Sequence, residues 1–319
     1  MKFIFLVFSF VMACAANAQG YPNRPVKVVV PWPPGQATDL AARIVADKLS
    51  QALGQPFVIE NKPGAGGAIG TEQVVKSPPD GYTLLAASSG PISIMPNLQK
   101  TPYDPLTDLA PISLTNAVPF ALVVHPSFPA SNAREFVALV KANPGKYTFS
   151  SSGTGATAHL FGELFNSMAG LKAVHIPYKG TAAAMTDLIS GQISYSVETV
   201  AATVGHIKGG RLKAFGVTSA RRTEALPELP PLAEAADIPG YECIAWGGYM
   251  APQGTPRDVI LRIAAEIQKA VQAGDLKERF VTLGMDTASS TPEEMAAFMR
   301  REHARYGTII KNAGIKIEN

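Results

Sequence analysis

The stretch VKVVVPWPPGQATDLAARIVADKLSQAL, residues 26–53, is followed closely by FVIENKPGAGGAIGTEQVVK, residues 57–76, and the two share one plan. In each, a β-branched apolar run predicts a strand, and a turn rich in glycine or proline leads into a helical pattern. The first N–H groups of a helix have no partner within the helix and carry a partial positive charge. Two such helix starts at one edge of a sheet therefore predict a site for an anion, either a carboxylate or a phosphate.

The same plan returns in the middle of the chain and indicates the fold class. Residues 147–150 predict a strand, residues 151–155 (SSGTG) a loop and residues 156–168 a helix. Strands and helices alternate along most of the sequence, which is typical of an α/β fold with a mostly parallel sheet. Residues 101–111, which are rich in proline, predict an irregular connection between two parts of this pattern.

Two long apolar strands, predicted at residues 119–124 and 243–250, bracket a self-contained α/β block. A chain that leaves a domain and later returns to it forms a cleft with a two-strand hinge, and such clefts are preferred ligand sites. We therefore predict two α/β domains: residues 19–121 with 246–319 form the first, and residues 122–245 form the second. Near the C-terminus, Thr255 and Thr291 each precede a proline and predict helix N-caps.

The N-terminus predicts export from the cytoplasm. Residues 1–18 combine one lysine, an apolar run too short to span a membrane and the small-residue pattern Ala16-Asn17-Ala18. We predict a signal peptide that is cleaved after Ala18, which leads the chain to the periplasm. An alternative is a lipid attached to Cys14. Cleavage would leave Cys243 as the one cysteine of the exported chain, which excludes an internal disulfide.

Composition and motifs narrow the classes of function. The chain is 46% apolar and 17% charged, typical of a globular protein, and its net charge of +3 is spread over single residues, which argues against nucleic-acid binding. The glycine-rich run at residues 64–70 lacks the glycine that a dinucleotide-binding turn needs at its sixth position, and no phosphate-binding glycine-lysine motif occurs. We expect no cofactor, and the five histidines lack the spacing of a metal site.

Several residues beside the predicted loops have two interpretations. Trp32 either belongs to the core or stacks on a ligand at the mouth of a cleft. Glu198 either receives a ligand hydroxyl or ammonium group or caps the following helix. Ser151 or Ser152 with His159 would suit a serine hydrolase, but the sequence frame of a nucleophilic serine is missing, so we interpret the serines as hydrogen-bond donors.

Eight short stretches distributed along the chain share one resemblance. They are YPNRP (21–25), PWPPGQATD (31–39), ENKPGAGG (60–67), DGYTL (80–84), PYKG (177–180), KAFGVT (213–218), LPELP (226–230) and APQGTP (251–256). Together they resemble the Bug family, the extracytoplasmic solute receptors of tripartite tricarboxylate transporters. The resemblance implies a type II periplasmic binding-protein fold and a clamshell that closes on a small organic carboxylate. It also implies a monomer that delivers this ligand to a membrane permease with one large and one small subunit, and no enzymatic activity.

In the Bug family, loop backbone amides, hydroxyl groups and bridging waters hold the ligand carboxylate. This resemblance and the interpretations above predict the following ligand-binding residues: Trp32, Gly35, Gln36, Ala37, Ala65, Gly66, Ser88, Ser89, Ser151, Gly153, Thr154, Gly155, Thr157, His159, Tyr178 and Glu198. At Trp32, Gln36 and Glu198 the chain departs from the common family residues, which are Phe, Gly and Asp. We expect these three positions to determine which carboxylate is bound.

Two other functions would suit the same architecture. A sensory ligand-binding protein would present its closed form to a membrane kinase instead of a permease. A secreted serine hydrolase would use Ser151 or Ser152 with His159.

Overall fold

The computed structural model describes residues 20–315 of the 319-residue chain. The predicted signal peptide and the alternative lipid site at Cys14 lie outside the described residues. The strands are β1 (Val26–Val30), β2 (Phe57–Asn61), β3 (Thr83–Ser88), β4 (Leu109–Val124), β5 (Thr148–Ser151), β6 (Val174–Pro177), β7 (Tyr195–Thr199), β8 (Lys213–Val217), β9 (Ile244–Pro252) and β10 (Asp286–Thr287). The helices are α1 (Ala37–Leu53), α2 (Ala68–Val75), α3 (Met95–Leu98), α4 (Ala133–Ala142), α5 (Thr157–Ala169), α6 (Thr181–Ile189), α7 (Val200–Lys208), α8 (Leu232–Ala235), α9 (Arg257–Gln272), α10 (Gly274–Thr282) and α11 (Pro292–Ala313).

Two groups of parallel strands form the sheet, and antiparallel strands connect them. One group is β2-β1-β3 and the other is β6-β5-β7, within the order β2-β1-β3-β9-β4-β7-β5-β6. Strand β9 is antiparallel to β3 and β4, and β4 is antiparallel to β7 and β8. The predicted parallel alternation is correct within each group. The predicted α/β class is confirmed, and the sheet as a whole is mixed.

Strand β4 passes from one group to the other. Residues 109–119 pair with β9, whereas residues 120–124 pair with β7 and β8. The prediction of an irregular connection is wrong for residues 109–111, where the strand has already begun. Pro111 lies at a shift in register, where a residue without an N–H is tolerated, and Pro119 lies where β4 changes partners. These prolines, with buried polar residues between them, conceal the strand from a pattern of apolar residues.

The chain crosses back between the groups just before β9. The Cys243 N–H donates to the Thr218 carbonyl at 2.9 Å, and from Gly247 onwards β9 pairs with β3. The Cys243 side chain is buried, and this burial raises the pKa of its thiol to about 12. The domain boundaries at residues 121/122 and 245/246 stay predictions.

Helix starts of the C-terminal part differ from one another. The predicted cap at Thr291 is confirmed, because its hydroxyl accepts from the Glu294 N–H at 3.1 Å and the Glu294 carboxylate accepts from the Thr291 N–H at 2.8 Å. The predicted cap at Thr255 is wrong, since its hydroxyl donates backwards to the Pro252 carbonyl at 2.8 Å. None of the helices within residues 20–315 combines the length and the apolar character that crossing a membrane requires.

Candidate functional site

The predicted residues lie on two sets of loops. Neighbouring parallel strands end at the same edge of a sheet, so the loops after β1, β2 and β3 lie together, and so do those after β5, β6 and β7. The first set carries Trp32 to Ala37, Ala65, Gly66, Ser88 and Ser89. The second set carries Ser151 to Thr157, Tyr178 and Glu198.

A buried carboxylate fixes the first loop. Asp39, which is 1% exposed, accepts from the Gly35 N–H at 2.8 Å and from Arg43 Nε at 3.0 Å through Oδ2. Asn61 Nδ2 donates both to Asp39 Oδ1 at 2.8 Å and to the Trp32 carbonyl at 3.0 Å. Asp39 and Asn61 thus join the turn after β1 to the end of β2. Sequence reasoning missed both residues, although Asp39 stands one helical turn after Gly35.

The charge of Asp39 is maintained by these donors. Burial alone would raise the pKa of its carboxyl group, but the hydrogen bonds from Arg43, Asn61 and the Gly35 N–H outweigh burial and lower the pKa. Asp39 is therefore an anion at neutral pH. The Gly35 N–H donates to Asp39 and is therefore not free to bind a ligand. Gly35 instead allows the turn, with φ at +85°.

Helix α1 begins without a side-chain cap. Gln36 is its N-cap residue, has extended backbone angles and makes no capping hydrogen bond. The N–H groups of Ala37 and Thr38 in the first turn have no partner within the helix. They are donors that an anion at the end of α1 could use. The side chain of Gln36 is exposed beside them.

Trp32 belongs both to the hydrophobic core and to the first set of loops. Its half-buried ring packs against the main hydrophobic core, and its Nε1–H donates to the Ser88 hydroxyl at 2.8 Å. A Cβ atom on Gly90 would stand 2.8 Å from the ring, so only glycine allows this approach. The neighbouring Ser89 is also buried but has a different partner, since its hydroxyl accepts from the Trp246 N–H at 2.9 Å.

The second loop turns through left-handed backbone. Ala65 has φ +47° and Gly66 φ +63°, followed by a further positive φ at Gly67. A Cβ atom on Gly66 would lie 2.7 Å from Met95 Sδ, so the loop packs closely on the helical segment that follows β3. Helix α2 then begins at Ala68 without a side-chain cap. The loops after β2 and β3 thus support each other.

Two histidines hold the third loop. The Ser151 hydroxyl lies 2.7 Å from His175 Nε2, donates to the Gly153 carbonyl at 3.0 Å and accepts from the Gly153 N–H at 3.2 Å. The Gly155 N–H donates to His159 Nδ1 at 3.0 Å. Thr157 opens helix α5, whose N-cap Ala156 provides no side-chain cap, and Thr154 is exposed in the loop. Sequence reasoning missed His175, which is 24 residues from Ser151.

This arrangement bears on the serine-hydrolase hypothesis. Ser151 is fully buried, and its hydrogen-bond partner is His175, not His159. The Ser151 hydroxyl also lies within hydrogen-bond distance of the Gly153 carbonyl, at 3.0 Å. A nucleophilic serine instead needs an exposed hydroxyl whose proton passes to the base. Residues 20–315 also contain no group of His, Cys, Asp or Glu side chains suited to a metal ion.

Tyr178 and Glu198 complete the second set. The Tyr178 hydroxyl donates to Asp187 Oδ2 at 2.6 Å, and burial together with this carboxylate raises its pKa to about 12. Glu198 is 2% exposed; Oε1 accepts from the Thr199 N–H at 2.7 Å, whereas Oε2 is buried without a partner. Burial raises the pKa of Glu198. The Thr199 hydroxyl, not Glu198, caps helix α7.

A groove of about 640 Å³ lies apart from both sets of loops. Helices α1 and α10 line it with Leu40, Arg43, Ile44, Asp275, Glu278 and Arg279, followed by Thr282 and Leu283. It contains none of the predicted ligand-binding residues.

Comparison with known proteins identifies the family. Residues 41–315 match the tripartite tricarboxylate transporter family receptor profile. A protein encoded in the tcbD-tcbE intergenic region of Pseudomonas sp. strain P51 is 40% identical over 93% of this chain and 88% of its own. Protein BugT of Bordetella pertussis is 36% identical over 96% of this chain and 94% of its own.

Solved structures extend the similarity to the fold. Rpa4515 of R. palustris with adipate is 32% identical, with a TM-score of 0.82 over 93% of this chain and 99% of that one. MatC of Rhodopseudomonas palustris with bound malate is 29% identical, with a TM-score of 0.77 over 91% of this chain and 100% of that one. The uncapped helix starts of both loop sets and these matches lead to one conclusion: the chain belongs to the receptor family of tripartite tricarboxylate transporters.

Proposed function

We propose that this protein is a periplasmic receptor that captures a small organic carboxylate between its two sets of loops and delivers it to a membrane permease. The observation that carries the proposal is that helices α1, α2, α5 and α6 all begin at these loops and all lack a side-chain cap. The bound adipate and malate of the two related receptors support the ligand class.

The proposed binding mode needs no basic side chain. The first-turn N–H groups of a helix point at an anion, and the helix dipole favours negative charge there. None of the predicted ligand-binding residues is a lysine or an arginine. Helix starts in two separate sets of loops suit a ligand with a carboxylate at each end, so we infer a dicarboxylate as the preferred class.

Isothermal titration of the exported chain against succinate, malate, adipate, citrate and benzoate tests this proposal. We expect saturable binding of at least one dicarboxylate with a dissociation constant below millimolar, and no turnover. At a ligand concentration of about 100 times that constant, the free energy of unfolding should rise by about 2.7 kcal/mol. Gln36→Gly should change the affinity, whereas the remote Lys311→Ala should not. Failure of every carboxylate to bind below millimolar would refute the proposal.

Glu198 provides a sharper test of ligand choice. Its unpartnered Oε2 is a buried hydrogen-bonding atom, and a ligand hydroxyl would satisfy it. Malate and succinate differ only by this hydroxyl. We expect Glu198→Ala to weaken malate binding about fivefold to tenfold more than succinate binding, as the loss of one hydrogen bond predicts. An equal effect on both ligands would show that Glu198 does not contact the hydroxyl.

Export and delivery are separate parts of the proposal. Cleavage after Ala18 predicts Gln19 as the N-terminal residue of the periplasmic protein, which mass spectrometry can measure; a lipid on Cys14 would give a heavier, membrane-associated form. Deletion of the gene should abolish uptake of the bound carboxylate. If uptake is unchanged and a kinase response is lost instead, the protein serves sensing and not transport.

A further inference from the structure

His159 and His175 form a stacked pair directly behind the third loop. Their ring centroids are 3.8 Å apart and the ring planes differ by 8°. Phe149 covers the pair, with its centroid 4.8 Å from His175 and 6.3 Å from His159. His159 belongs to α5 and is 6% exposed, and His175 belongs to β6. Each ring makes one hydrogen bond to the loop of residues 151–156, from opposite ends of that loop.

The hydrogen bond to Gly155 fixes the protonation state of His159. A backbone N–H can only donate, so His159 Nδ1 must accept and carries no proton. Its proton is then on Nε2, which lies 3.7 Å from Glu163 Oε1. A second proton would have to go to Nδ1. It would face the Gly155 N–H, donor against donor, and break the bond that holds the end of the loop.

His175 supports the other end of the loop through Ser151. The Ser151 hydroxyl lies 2.7 Å from His175 Nε2 and 3.0 Å from the Gly153 carbonyl, and it accepts from the Gly153 N–H at 3.2 Å. A second proton on His175 would place a positive charge 3.8 Å from the His159 ring. Positive charge on both rings at once would be strongly repelled at this distance.

The other titratable groups facing the pair are few. Glu163 lies on the same helix as His159, one turn further on. Tyr195 on β7 stacks on Phe149 at 5.7 Å, but its hydroxyl donates to Asn166 at 2.6 Å. Burial and the neighbouring His159 lower the pKa of His175 to about 4. This shift agrees with the geometry, since both describe a His175 ring that stays uncharged at neutral pH.

We propose that His159 and His175 are positioning residues that hold residues 151–156 in their ligand-binding shape only while both rings are uncharged, so that acid weakens ligand binding. The inference rests on the proposed function, because it requires this loop to contact the carboxylate. Asn at position 159 can offer its Oδ1 to Gly155, and Gln at position 175 can offer its Nε2–H to Ser151. Neither replacement titrates, so the two variants separate shape from charge.

The test is titration of malate and adipate into the wild type and variants at pH 7.5 and pH 4.0, the second value being close to the lowered pKa of His175. For the wild type we expect binding to weaken about fivefold more between these pH values than for His159→Asn, the effect of one lost hydrogen bond. His159→Leu should bind about fivefold more weakly already at pH 7.5. His175→Gln should show a weaker pH dependence of binding than the wild type, because the glutamine side chain does not titrate. His125→Asn, on a half-buried histidine outside the loop, is the control and should follow the wild type.

Equal pH dependence in the wild type and His159→Asn would overturn the inference, because the ligands themselves titrate equally in both titrations. A measurement without ligand separates this outcome from failure of the proposed function. In nitrogen-15 spectra of the free protein at pH 7.5, His159 Nδ1 should show the shift of an unprotonated acceptor, and the Gly155 amide should change on acidification. If neither malate nor adipate binds at any pH, the proposed function is in question. A protonated His159 Nδ1 at pH 7.5 would refute the positioning role by itself.

Discussion

Replacement of Asp39 by alanine is the perturbation for which the structure makes the clearest statement. The Asp39 carboxylate receives the Gly35 N–H, Arg43 Nε and Asn61 Nδ2, all at 2.8 to 3.0 Å. Removing it leaves the Gly35 turn without its anchor and frees Asn61, which also holds the Trp32 carbonyl. The first ligand loop should therefore lose its shape, while the core behind it remains packed.

The magnitude follows from the number and exposure of these bonds. Hydrogen bonds to a charged group contribute about 1.5–3 kcal/mol each, so three would sum to at least about 4.5 kcal/mol. The side chain of Arg43 is 48% exposed, so water screens its interaction with Asp39 and reduces the contribution of this bond to the free energy of unfolding. We expect Asp39→Ala to lower the free energy of unfolding by about 3 kcal/mol. Asp39→Asn keeps the shape of the side chain, but its amide N–H faces one of the three donors. This replacement should lower the free energy of unfolding by about 1–2 kcal/mol.

Urea unfolding gives the stability change, and titration with malate gives the change in affinity. We expect Asp39→Ala to bind at least about tenfold more weakly, because the free receptor must reorder its loop before it binds. Asp80→Ala is the matched control. It removes the same type of side chain, whose ion pair with Arg24 and hydrogen bond from the Tyr82 N–H are exposed, so it should change stability by less than about 0.5 kcal/mol.

Acid provides an internal check on the reasoning. The pKa of Asp39 is lowered in the folded state, so its stabilising charge is present above the unfolded pKa and is lost as the pH falls through the folded value. The difference between wild type and Asp39→Asn should shrink on that acid limb. Wild-type unfolding and wild-type affinity in Asp39→Ala would refute the argument, since a buried carboxylate with three donors would then contribute nothing.

Three further changes test other parts of the structure. The pKa of His175 is lowered from 6.5 to about 4, so the folded state binds a proton less readily than the unfolded chain. Urea unfolding should show that the free energy of unfolding decreases by about 1–2 kcal/mol as the pH is lowered from 6.5 to about 4, after allowance for partial exposure. His175→Gln should make the free energy of unfolding depend less on pH in this range. Burial raises the pKa of Glu198, so its cost grows as the pH rises past the ordinary glutamate pKa; Glu198→Gln should stabilise the protein at pH 8 and not at pH 4. Trp32→Phe keeps the ring but loses the hydrogen bond to Ser88, and should cost about 1 kcal/mol; a double-mutant cycle with Ser88→Ala should return most of that value as coupling.

Local sequence signals were sufficient for elements whose pattern and caps agree. The helix predicted at residues 156–168 agrees with α5 to within one residue at each end. Thr291 and Pro292 mark the start of α11 by capping chemistry that needs no tertiary contact. The two opening strand-turn-helix units were likewise predictable, because glycine and proline interrupt two clear apolar patterns.

Elements determined by tertiary contacts were not predictable in this way. Ser113, Thr115 and Asn116 are buried in β4, so the first part of that strand shows no alternation of apolar and polar residues. The helical segment that follows Ser88 also shows no apolar repeat that would predict it. Its place is determined by packing against the second loop and α11, through contacts such as that of Gly66 with Met95.

For the candidate site, the sequence predicted the loops but not the side chains that hold them. Backbone donors at helix starts follow from turn chemistry, which is local. The contacts of Ser151 with His175 and of Asp39 with Asn61 join residues 24 and 22 positions apart. Only the pairing of β5 with β6 and of β1 with β2 brings these residues together. The sequence does not determine the register of that pairing.

The buried thiol of Cys243 has a practical consequence. The sequence holds two cysteines, and the other, Cys14, lies in the predicted signal peptide. With its pKa raised to about 12 and its side chain enclosed, Cys243 should be almost entirely uncharged at pH 8, and we expect it not to react with maleimides. Gln36→Cys would thus take a fluorescent dye at one exposed position, without removal of the native Cys243. A chain cleaved after Ala18 would then carry a single optical reporter beside its proposed carboxylate site.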